Sequence, residues 1–183
     1  VIRPRSSSLF SQINTIKGPK QVWTTFGPDQ VDINWQNPKM LLEFLNLVIL
    51  YINNGIKWFR LDAVGFIWKQ SGTTCLHLPK AHLIVKLLRI KLSRLLNDGV
   101  LITETNVPQK ENLSYLETED EAHMAYNFPL PPLLLEAVVT SRADILNTWI
   151  YNWPMLPENT TLFNFSASHD GVGLRPLEGL MNE

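Results

Sequence analysis

A chain of 183 residues with 45% hydrophobic and 18% charged side chains can bury a substantial core, which excludes a disordered polypeptide. With 16 basic and 17 acidic residues the net charge is −1, which leaves no basic field for nucleic acid, so the partners expected are small and neutral or singly anionic. Cys75 is the single cysteine, which excludes an internal disulfide and makes the reducing cytoplasm the default compartment.

Residues 1–36 carry turn formers and scattered aromatics without a sustained period, and read as an irregular insert with short strand candidates at 21–26 and 30–34. Asn37 as N-cap, Pro38 at the first helical position and the stop Asn53-Asn54-Gly55 predict the first helix. Its polar residues Lys39, Glu43, Asn46 and Asn53 share one narrow stripe, so most of its circumference is expected to be covered by other elements. Residues 40–52 are the most apolar stretch, but Glu43 and Asn46 interrupt it and it is too short to span a bilayer, so no membrane segment is expected. A strand-like run over 55–62 ends in Asp62. A second helix is predicted over about 79–97, with Ala81, Ile84, Val85, Leu88, Leu92, Leu95 and Leu96 on its buried face, and Asp98-Gly99 ends it. The run 100–104 ends in Glu104; 108–121 is ambiguous, and 122–128 offers a short strand. Helices over 132–139 and 143–149 and a loop at 152–160 lead into a third run, 161–170, that ends in Asp170. The chain starts at Val1 without a leader and stops at Glu183 in a loop-like stretch, which reads as an excerpt of a longer protein.

Helices alternating with strands predict βαβ units and a parallel sheet, hence an α/β fold. Either a doubly wound open sheet or part of a (β/α)8 barrel fits. No Gly-rich phosphate fingerprint follows a strand, which disfavours the dinucleotide-binding sheet. A whole barrel takes about 250 residues, so roughly half of one is expected here, with residues 1–36 as part of an insert domain and 37–183 as the partial barrel.

If the three runs are parallel neighbours, Asp62, Glu104 and Asp170 converge at one C-terminal rim, where barrels keep their chemistry. Retaining glycosidases need a carboxylate nucleophile and a second carboxyl that serves as acid and then as base. Arg60 precedes Asp62 by two residues, so both point to one face of the strand, and the cation would keep Asp62 ionised. Glu104 ends an apolar run, where desolvation would raise its pKa toward that of a general acid. Asp170, beside His169, could hydrogen-bond sugar hydroxyls and stabilise an oxocarbenium-like transition state. Taken singly, each acid is an ordinary strand-end residue. Ser166, His169 and Asp170 are too close along the chain to form a nucleophile-base-orienter triad. Sequons stand at Asn112, Asn159 and Asn164 and matter only if the chain is secreted.

Arg60-Leu61-Asp62-Ala63, Ile102-Thr103-Glu104 and Ser168-His169-Asp170 resemble, in order, the fourth-, fifth- and seventh-strand motifs of the α-amylase superfamily. The resemblance implies strands 4 to 7 of a (β/α)8 barrel, with Asp62 as nucleophile, Glu104 as acid/base and Asp170 as transition-state stabiliser. Val22-Trp23-Thr24-Thr25-Phe26, Gly72-Thr73-Thr74-Cys75, Pro129-Leu130-Pro131-Pro132-Leu133 and His169-Asp170-Gly171-Val172-Gly173 are similar to sucrose phosphorylases and related α-glucoside phosphorylases. Asn106 stands where sucrose phosphorylases commonly have a histidine, which points away from fructose and toward enzymes of the glucosylglycerate phosphorylase type. Arg3-Pro4-Arg5 resembles the segment from which an arginine meets phosphate, making Arg5 a phosphate candidate. The activity this resemblance implies is glucosyl transfer from a small α-glucoside to inorganic phosphate as co-substrate, through a covalent β-glucosyl-enzyme, with no metal or organic cofactor required. Arg60, His169 and Asn106 would contact the substrate, and the missing barrel segments of the parent chain would complete the site. A hydrolase or transglucosylase using the same acids, or a non-catalytic piece of the fold, are the alternatives.

Overall fold

The computed structural model describes residues 1, 2, 4–178 and 180, so Arg3 of the phosphate-candidate segment lies outside the described residues. The chain divides into two compact units, one comprising Val1–Asn54 with Gly65–Ala81 and the other Gly55–Val64 with His82–Glu183.

In the first unit, strands β1 (Phe10–Thr15) and β2 (Gly18–Trp23) form an antiparallel hairpin in the register Phe10↔Trp23 to Thr15↔Gly18. Gly18 takes φ 93°, a conformation open to glycine, and the Thr15 hydroxyl donates to its carbonyl at 2.8 Å. The strand candidate at 21–26 overlaps β2 at residues 21–23, whereas β1 escapes a sequence reading because Phe10 and Ile13 fall on its opposite faces, which erases the period-two signal. No strand forms at 30–34. Asp32 there turns its carboxylate inward instead, accepting from the Thr25 N–H at 3.0 Å and pairing with Lys69 Nζ at 2.6 Å.

Helix α1 (Pro38–Asn53) starts as the sequence predicts: the Asn37 side chain accepts from the Lys39 N–H at 3.1 Å and Pro38 occupies the first turn. Its apolar circumference is not covered, contrary to expectation. None of its residues is buried, and Leu42 and Leu50 are 60% and 55% exposed.

The second unit is built on a four-stranded parallel sheet, β3 (Trp58–Leu61), β4 (Val100–Thr103), β5 (Met124–Tyr126) and β6 (Thr161–Phe163), whose spatial order equals its chain order. Helices α2 (Pro79–Leu95), α3 (Gln109–Leu113), and α4 (Leu130–Thr140) with α5 (Asp144–Tyr151) occupy the successive connections. A doubly wound sheet reverses its strand order at a switch point, and this one does not, so it is a segment of a (β/α)8 barrel.

On α2, Ala81, Ile84, Val85, Leu88 and Leu92 are buried as expected, whereas Leu95 is 47% exposed and drops out of the predicted face. Leu101, Ile102, Tyr115, Leu116, Ala125 and Leu133 continue the core. The predicted run 161–170 is a strand only to Phe163. Beyond it Phe165 turns to pack against Tyr126 and Phe128, with ring centroids 5.3 and 5.6 Å apart, and Asp170 sits in a loop rather than at a strand end.

Candidate active site

The register Arg60↔Ile102↔Met124 and Leu61↔Thr103↔Ala125 places Asp62, Glu104 and Tyr126 in one row across β3, β4 and β5. In a parallel sheet such a row shares one face, so their side chains emerge together at the C-terminal rim. The ladder runs one step past Leu61, whose carbonyl accepts from the Glu104 N–H at 3.1 Å. After Asp62 the chain breaks out of the strand through Ala63, a non-glycine residue at φ 46°. Strain of that kind persists where the surroundings over-determine it. Here the Ala63 N–H donates to Glu104 Oε2 at 2.9 Å, joining the two strand ends.

Arg60 holds both carboxylates. Its Nη1 lies 2.7 Å from Asp62 Oδ1 and its Nη2 3.8 Å from Glu104 Oε2. Burial alone would weaken the proton's hold on the guanidinium, but the charges of Glu104 and Asp62 outweigh it and the pKa of Arg60 is raised. Glu104 is 9% exposed, and burial pushes its carboxyl above the usual range. The Ala63 N–H and Arg60 pull it down, while Asp62 and Asp170 push it further up. The two carboxyls thus differ in kind: Asp62 is 74% exposed and directly ion-paired, and Glu104 is desolvated, with its pKa raised by burial. A pair of acids in unlike environments can divide the roles of nucleophile and proton donor.

Asp170 lies within reach of Glu104 for its charge to act there, the smallest of the influences on that carboxyl. His169 Nε2 lies 3.4 Å from Asp170 Oδ2, with both side chains open to solvent. Asn106 is exposed beside the loop that follows Asp170: a Cβ built on Gly173 would meet Asn106 Nδ2 at 3.0 Å. Arg5 is exposed and belongs to the first unit. Among the described residues no group of three or more His, Cys, Asp or Glu side chains could hold a metal ion. A cleft of about 640 Å³ against Leu113, Leu116 and Met155 includes none of these acids in its lining.

Two further residues were not foreseen. The Tyr126 ring lies under the Arg60 guanidinium, 5.3 Å from Cζ to the centroid, within cation–π range. Asn112, one of the sequon asparagines, is 2% exposed, with its amide oxygen accepting from the Thr105 hydroxyl at 2.7 Å and its amide nitrogen donating to the Tyr126 carbonyl at 2.8 Å. Only the register across three strands connects these residues to the acids. The alternation of Tyr126 with Phe128 was the one local signal available.

The α-amylase catalytic-domain family matches residues 20–170. The glucosylglycerate phosphorylase of Escherichia coli K12 is 46% identical over 185 residues, covering 100% of this chain and 33% of that protein. The glucosylglycerate phosphorylase of Allomeiothermus silvanus is 47% identical over 182 residues, covering 99% and 33%. The crystal structure of sucrose 6F-phosphate phosphorylase from Thermoanaerobacter thermosaccharolyticum shares the fold at a TM-score of 0.83, with 23% identity, 98% coverage of this chain and 36% of that one. The chain thus spans about a third of the length of the curated relatives it matches. With the sheet order, the rim of acids and the family match over most of its length, the chain belongs to the α-amylase family and carries a four-strand portion of its barrel catalytic domain.

Proposed function

We propose that the protein transfers a glucosyl group from a small α-glucoside of the glucosylglycerate type to inorganic phosphate with retention of configuration. Asp62 attacks the anomeric carbon while Glu104 delivers its proton to the departing oxygen, leaving a β-glucosyl ester on Asp62. Glu104, now ionised, takes a proton from the incoming phosphate, whose oxygen displaces Asp62 from the opposite face. Asp170 shares the positive charge that develops on the sugar ring, and His169 and Asn106 face donor and acceptor groups. No organic cofactor enters this scheme.

The observation that carries this reading is the unlike pair under one guanidinium, Asp62 ion-paired at 2.7 Å and Glu104 buried with a raised pKa. The names of the relatives at 46% and 47% identity support phosphate as acceptor and glucosylglycerate as donor. The test is incubation of the full-length polypeptide with glucosylglycerate or sucrose, with and without inorganic phosphate. Phosphate-dependent α-glucose 1-phosphate is the expected product. Free glucose alone, released at a rate indifferent to phosphate, overturns phosphorolysis in favour of hydrolysis.

A further inference from the structure

We infer that Tyr126 is a positioning residue for the glucosyl-transfer centre, its ring carrying the Arg60 guanidinium and its carbonyl anchoring the peptide that follows Glu104. The inference rests on the reading of Asp62 and Glu104 as the reacting pair.

Arg60 must keep one nitrogen on each carboxylate, yet its side chain is long and 31% exposed, and it approaches Asp62, itself 74% exposed, at 2.7 Å but Glu104 only at 3.8 Å. An arginine in that setting has many rotamers open to it. A flat aromatic face beneath the guanidinium confines it to one plane, and Tyr126 supplies that face at 5.3 Å. The ring is itself wedged, with centroids 4.9 Å from Phe163, 5.3 Å from Phe165 and 5.6 Å from Phe128. A second connection leaves the same residue through the main chain. The Tyr126 carbonyl accepts from Asn112, and Asn112 accepts from Thr105, the residue directly after Glu104. Thr105 and Asn112 are 3% and 2% exposed, so solvent does not compete for these bonds. Cation and proton donor are therefore referenced to one residue of β5 that bears no charge of its own.

The experiment is steady-state glucosyl transfer by the full-length polypeptide carrying Tyr126→Phe, Tyr126→Leu, Arg60→Ala, and Arg60→Ala with Tyr126→Leu, with Asp62→Asn as control. Tyr126→Phe keeps the ring face and is expected within threefold of the parent. Tyr126→Leu is expected to lower kcat at least tenfold with KM within threefold, and to move the basic limb of the pH profile upward, because Glu104 loses the nearby cation. In the Arg60→Ala background the same Leu substitution is expected to cost less than threefold, since there is no guanidinium left to hold. An equal loss with and without Arg60, an equal fall in the Phe and Leu variants, or an unmoved pH limb overturns the positioning role. If Tyr126→Leu does not fold, as judged by near-UV circular dichroism, Tyr126→Met is decided by the same criteria. Asp62→Asn retaining more than a tenth of parental turnover instead overturns the reacting pair, which separates that failure from failure of the brace.

Discussion

At the tip of β4, Glu104 carries a carboxyl that the fold keeps from water. Its carboxyl holds a proton more tightly in the folded chain than the ordinary value of 4.5, because burial disfavours the charge. Below about pH 4.5 the folded and unfolded chains both carry the proton, and this residue costs nothing. As the pH rises through 4.5 the unfolded chain releases the proton first, so folding stability is progressively lost until the folded carboxyl has ionised as well. Glu104→Gln keeps the shape and an oxygen for the Ala63 N–H but has no charge to bury. That variant is expected to show a higher denaturation midpoint than the parent at pH 7 and an unchanged one at pH 4, measured by urea unfolding. A gain of equal size at both pH values overturns the assignment. Asp62→Asn, by contrast, is expected to keep the fold and to reduce turnover by about a thousandfold or more, as the proposed role of Asp62 as nucleophile requires.

Among the elements, the junction of α2 with the start of β4 is packed to its limit. A Cβ at Gly99 would meet Leu92 Cγ at 2.7 Å, and Leu92 is only 2% exposed. Gly99→Ala is therefore expected to cost roughly 1–3 kcal/mol as an overpacked site. Leu92→Ala alone is expected to cost about 2–5 kcal/mol through the space it empties. Combined, the two should cost less than their sum, as each relieves the other; strict additivity by chemical denaturation overturns the contact. The same elements show what could be read from the chain. The ends of α1 and α2 were legible because Asn37, Pro38 and the pairs Asn54-Gly55 and Asp98-Gly99 act locally, and β3 and β4 because their apolar runs end in acids. β6 was read too long because Phe165 looks like strand but serves a ring cluster, a choice made by tertiary packing. β1 left no period to detect.

For the molecule as a whole, the acids were legible and their support was not. Arg60, Asp62, Glu104 and Asp170 stand in motifs with a fixed order, whereas Tyr126 and Asn112 matter only once three strands are aligned. Burial was legible only in part, since the apolar face of α1 lies open. Val138 and Val139 on α4 are 76% and 74% exposed, and Tyr151 and Met155 89% and 97%. Apolar surface on that scale favours association. The 183-residue polypeptide made by itself is expected to self-associate as concentration rises, followed by sedimentation velocity, and to bind a hydrophobic dye. A monodisperse monomer at 100 μM that leaves the dye dark overturns this.

The enclosed amide of Asn112 has one practical corollary for making the protein. Its Asn-Leu-Ser signal is read by glycosylation machinery on nascent chains, before folding hides it. In a eukaryotic secretory host, a sugar tree attached there would stand where Thr105 and the β5 carbonyl must dock. Glycan-bearing molecules would then be retained by quality control, while bacterial expression would escape the problem altogether.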